Sequence, residues 1–179
     1  MKNLKILIII STLILITSFS TYAEDSKMMA GAFINYNLPM GTTADNYKSS
    51  IGFHLQFEYL LTESIGLDIT AGYVPWDFEN APSNWKFSII PVLIGTRYYF
   101  VERGMSYFGG FDVGVYNTSI KKDAEEFNES NFGISILGGS LFSMGDYLYL
   151  NTYLSYTRIS TSAYSFTYLS INAGISYPF

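Results

Sequence analysis

The side chains able to do chemistry are few and fall on related positions. Glu58, Asp68, Arg97 and Asp112 are charged residues inside otherwise uncharged stretches, and His54 is the only histidine. A guanidinium set between two carboxylates can hydrogen-bond both and offset their repulsion, whereas two carboxylates alone at one place would suit general acid–base work. The chain has no cysteine. That excludes disulfides, thiolate metal sites, cysteine nucleophiles and an acylated cysteine anchor. One histidine cannot build a histidine-based metal centre, and no cofactor is expected.

The elements that must hold these residues follow from alternation with a period of two. Ile51, Phe53, Leu55, Phe57 and Tyr59 share one parity, and Gly52, His54, Gln56 and Glu58 the other. In an extended strand those sets point to opposite faces. The pattern recurs at 65–73, 148–156 and 169–179, and less regularly at 28–37, 86–100, 106–117 and 131–142, giving eight strands. Short turns fall at 61–64, 101–104 and 143–146. Longer polar connections fall at 38–48, 77–84 and 118–130, with a shorter one at 159–163. Pairing the second and third strands about Glu63 sets Glu58 opposite Asp68. Pairing the fourth with the fifth puts Arg97 on the same polar face, with Asp112 further up. The expected outcome is a charge cluster that fills the interior of a closed sheet, not a catalytic pair.

Composition bounds the class. The 179 residues allow one domain, and 15 Asp and Glu outnumber 10 Lys and Arg. The acidic balance argues against a nucleic-acid surface, which needs clustered cations. Lys2 and Lys5, the apolar run Ile6–Ile16 and Thr21-Tyr22-Ala23 read as a cleavable signal peptide over 1–23, leaving a barrel domain over 24–179. The mean hydropathy of +0.18 owes nearly all its surplus to that leader. The remainder averages two opposite faces, so period is more telling than the mean.

An eight-stranded antiparallel sheet can turn its apolar face inward, as a soluble ligand carrier does, or outward into lipid. Here the polar face is mostly Gly, Ser, Thr, Asn and Tyr, which suits a narrow interior, and the apolar faces carry no charge. Trp76 and Trp85 flank the second long loop, while Tyr59, Tyr98, Phe100 and Tyr107 lie near short turns, as two interfacial girdles would. The ending Asn172-x-Gly174-x-x-Tyr177-x-Phe179 resembles the assembly signal of bacterial outer-membrane proteins. With Ser88–Phe100 and Tyr59–Leu67, it makes the chain similar to the small outer-membrane barrels typified by the OmpA membrane domain and the OmpX/Ail type.

The resemblance implies an all-β, eight-stranded, up-and-down transmembrane barrel in the bacterial outer membrane. Both termini would lie in the periplasm and four loops outside. Its partners would be outer-membrane lipid and the barrel-assembly machinery, which reads Asn172, Gly174, Tyr177 and Phe179. A host or matrix ligand could engage 38–48, 77–84 or 118–130, as for an Ail-like adhesin. The rival is a lipid-A-modifying barrel. The deacylase pattern needs a serine two residues after its histidine, and Gln56 stands there.

Overall fold

The computed structural model describes residues 27–179 apart from 81–84, 103–104, 123–124, 146 and 162–164. The proposed leader lies outside the described residues. Eight strands follow in order: β1 (Met28–Pro39), β2 (Ser50–Leu60), β3 (Ile65–Trp76), β4 (Lys86–Glu102), β5 (Met105–Lys122), β6 (Glu125–Ser143), β7 (Tyr149–Ser160) and β8 (Ser165–Pro178). Each pairs antiparallel with the next, and β8 returns to β1, so the sheet is a closed barrel. Closure leaves no unpaired edge, which a wall facing lipid requires because lipid cannot hydrogen-bond a free backbone.

The parity read from the sequence is the parity of the wall. Ile51 (66% exposed), Leu55 (61%) and Ile94 (62%) point outward, while His54, Gln56 and Glu58 between them are buried. A hydrophobic residue this exposed would be unfavourable in water on every strand of a soluble protein. Tyr59, Tyr98, Phe100 and Tyr107 form an outward aromatic group at the short-turn end. Trp76 does not belong to a matching group at the other end. It is 1% exposed and points into the barrel, because it shares parity with Val74 and the polar face of β3.

Two expected loops are shorter than anticipated. Residues 118–130 are almost entirely strand, since β5 continues to Lys122 and β6 begins at Glu125. The ladder there is held by polar pairs that lack an apolar period. Lys121 faces Glu126 at 3.5 Å. Ser130 Oγ donates to Asn117 Oδ1 at 2.7 Å. Residues 159–163 likewise contain the last two residues of β7, which runs to Ser160. At the opposite end, Thr62 closes the β2–β3 turn by accepting from the Ile65 amide at 3.0 Å. The β3–β4 ladder is interrupted where Gly72 and Tyr73 face Ile90 and Pro91, a strand position at which proline has no N–H to give.

The first long connection, after β1, carries a short 3-10 turn at Gly41–Thr43 and then delivers Tyr47 into the barrel mouth, where it pairs with Phe78 in an isolated bridge. Tyr47 packs with Trp76, Phe87, Ile89, Ile159, Phe166 and Tyr168 into an apolar plug at the long-loop end. A second apolar layer of Phe33, Tyr99, Phe108, Leu137 and Tyr153 lies toward the short turns. The lumen is therefore filled by side chains, as its eight-strand girth dictates.

Candidate lumenal site

The charged residues meet among the rings of the second apolar layer. Glu58 faces Asp68 across β2–β3, and Asp68 and Asp112 flank Gly95 on successive ladders. Arg97 Nη1 lies 3.5 Å from Glu58 Oε2 and 3.6 Å from Asp68 Oδ1, with all three side chains sealed from solvent. These are ion pairs without hydrogen bonds, since none of the guanidinium nitrogens finds a hydrogen-bond partner among the described residues. Other side chains donate to Glu58 and to Asp68 Oδ2, while Asp68 Oδ1, which faces Arg97, has no hydrogen-bond partner among the described residues. Tyr99 Oη donates to Glu58 at 2.7 Å, Gln56 Nε2 donates to it at 3.2 Å, and Thr70 Oγ1 donates to Asp68 at 3.3 Å. The guanidinium instead sits between the rings of Phe108 and Tyr153, 5.7 and 5.6 Å from their centroids, a stacked position that favours a cation.

Small residues make this crowding feasible. A Cβ on Gly66 would fall on the Glu58 carboxylate, and one on Gly95 would fall between the Asp112 and Asp68 carboxylates. Asp112 is not further from Asp68 than one intervening strand, because Gly95 offers no side chain to separate them.

His54 is held from three sides. Phe33 stacks on its ring at 4.6 Å and 8°. Ser170 Oγ donates to Asn37 Oδ1 at 2.5 Å, and Asn37 Nδ2 donates to Asn35 Oδ1 at 2.6 Å. That fixes the Asn35 amide so its nitrogen donates to His54 Nδ1 at 3.1 Å. The hydrogen on the ring then belongs to Nε2, which donates to Tyr153 Oη at 2.7 Å. Both ring nitrogens are engaged, and neither partner is a serine or a carboxylate. A relay of this kind orients side chains; it provides no activated nucleophile. His54→Ala should therefore leave the masses of the cell's lipid A unchanged by mass spectrometry while lowering barrel stability by about 2–4 kcal/mol through lost stacking and unpaired partners.

The terminal positions also have defined places. Asn172 is inward and its Nδ2 donates to Ser155 Oγ at 3.2 Å. Gly174 lies beneath the Phe33 ring, which a Cβ would strike. The Phe179 amide donates to the Met28 carbonyl at 2.9 Å, and its ring packs 6.0 Å from Phe57 on the outer wall. Sequence reasoning did not single out Tyr99 or Tyr153 as partners of the cluster. Their inward parity was visible, since each lies between outward-facing neighbours; their reach across the lumen was not.

A closed eight-stranded meander with a side-chain-filled lumen and an apolar outer wall is the architecture of the small bacterial outer-membrane barrels. Three solved barrels share it. Neisserial surface protein A is 16% identical with a TM-score of 0.67, the match covering 86% of this chain and 98% of the other. The N-terminal barrel domain of Pseudomonas aeruginosa OprF is 10% identical with a TM-score of 0.58, covering 87% and 100%. Ail of Yersinia pestis is 16% identical with a TM-score of 0.55, covering 86% and 97%. The chain belongs to the family described as Protein of unknown function (DUF3575), which it matches over residues 16–171. No curated protein matches it by sequence.

Proposed function

We propose that the protein is an integral barrel of the bacterial outer membrane with a structural or surface-interaction role and no catalysis. The observation that carries this reading is the outward band of large apolar side chains running round all eight strands of a wall whose lumen is filled. The short turns and the β8 terminus would face the periplasm, and β8, with Asn172, Gly174, Tyr177 and Phe179, would be the strand that the assembly machinery reads. Cell fractionation followed by an unheated denaturing gel tests it. A membrane-bound species that migrates faster before heating than after is expected; recovery as a soluble periplasmic protein would overturn it.

The β5–β6 hairpin supports a surface-binding role. Its strands have 18 and 19 residues against 11 in β2, and β4 pairs alongside it as far as Lys86 with Lys121. Yersinia pestis Ail has been solved with the heparin analogue sucrose octasulfate. The present hairpin sets Glu125, Glu126 and Glu129 against Lys121 and Lys122, which suits a basic partner better than a polyanion. Replacing 118–130 by a two-residue turn should abolish adhesion of expressing cells to immobilised matrix proteins. Equal adhesion would end the binding role and leave the barrel assignment intact.

A further inference from the structure

The charge balance of the lumen is incomplete. Glu58, Asp68 and Asp112 are buried, and Arg97 is the only Lys or Arg among the described buried residues. Its two ion pairs go to Glu58 and Asp68. Asp112 is 6% exposed, and its Oδ1 has no hydrogen-bond partner among the described residues. A buried ionised carboxylate without a partner is too costly to stand alone.

Asp112 borders a cavity of about 50 Å³ between the ion-pair layer and the apolar plug. Thr70, Asn37, Ser155, Ser170 and Asn172 contribute to its lining, so the wall offers hydroxyl and amide oxygens. A single water needs roughly 10–15 Å³ of such space, so an ion with a few waters fits. Oxygen donors with one carboxylate select hard cations. Among the described residues no three His, Cys, Asp or Glu side chains converge on one point, which disfavours a divalent ion.

We propose that this cavity binds a monovalent cation of sodium size on Asp112, with neutral lumenal oxygens and carried water completing its shell. The ion adds a positive charge beside the carboxylate that lies outside the two Arg97 ion pairs. Binding to the folded barrel alone would stabilise it by an amount that grows with the logarithm of the ion's free concentration once the site fills.

The test uses the full barrel, purified from membranes and refolded in neutral detergent in sodium, potassium or choline chloride at equal ionic strength. A higher thermal midpoint in sodium than in choline is expected, together with sodium-23 line broadening beyond that of empty micelles. Asp112→Asn should erase both effects, and Glu126→Gln on the exposed hairpin should leave both in place. Equal midpoints in all three salts would overturn the proposal. So would a sodium effect that survives Asp112→Asn, or a midpoint that responds to pH but not to the cation, which would put a proton on Asp112 instead. Should the variant not refold, wild-type line broadening no greater than that of empty micelles would be equally fatal.

Discussion

Arg97→Met should lower the unfolding free energy of the detergent-refolded barrel by about 3–5 kcal/mol, the usual cost of removing one partner from a buried charge set. The substitution keeps much of the side-chain volume between Phe108 and Tyr153, so lost packing contributes little. What it removes is, among the described residues, the only cation within 3.5–3.6 Å of Glu58 and Asp68. Three carboxylates would then share a sealed layer with no guanidinium. Neutralising the two that Arg97 pairs with in the same background, with Glu58→Gln and Asp68→Asn, should recover most of the loss, because the penalty belongs to unpaired charge and not to an absent shape. Urea unfolding followed by the gel shift of the folded form reads both variants. An unchanged midpoint for Arg97→Met would mean that the ion pairs contribute nothing net.

The second large effect is expected at the other end of the lumen. Trp76→Ala should cost about 3–5 kcal/mol, as for other large-to-small changes in closed cores. Trp76 touches Tyr47 at 6.4 Å, Phe166 at 5.2 Å and Tyr168 at 5.5 Å between ring centroids, so its loss undermines the whole plug. Its indole Nε1 has no hydrogen-bond partner among the described residues. Trp76→Phe should therefore retain most of the stability, since only ring volume is lost. Trp85→Ala provides the contrast. Trp85 stacks with Lys122 at 4.4 Å in a half-buried setting, an interaction of about 0.5–1 kcal/mol. Comparable losses for Trp76→Ala and Trp85→Ala would contradict the inward placement of Trp76.

What could be read before the fold was known depended on parity. Successive side chains of a strand point to opposite faces without exception, so the outward set Ile51–Tyr59 and the inward set His54, Gln56 and Glu58 were legible. The hairpin register that places Glu58 opposite Asp68 was equally legible, because a short turn at 61–64 permits little slippage. Parity fails where no apolar period exists. The β5–β6 extension is held by Lys121 with Glu126 and by Ser130 with Asn117, which read as a polar loop until paired. Parity also says nothing about what lies across a barrel. Tyr99 is 41 residues from Glu58 in sequence and reaches it over the intervening β3; Tyr153 is 99 from His54, and only closure brings that pair together. Trp76 was misplaced because a tryptophan beside a loop suggests an interface, while its own parity pointed inward.

Closure has a kinetic corollary. Seven of the eight ladders join strands adjacent in the chain, and only the seam between β1 and β8 joins its ends. The entropy of bringing distant segments together is thus concentrated in one pairing, whereas the rest of the wall has low contact order. The lumenal contacts that span the barrel, such as Tyr153 with His54, cannot exist until that seam forms. The cross-barrel contacts and wall closure are therefore coupled, and a sheet zipped only over β2–β4 could form the Arg97 ion pairs but not the contacts that cross the seam.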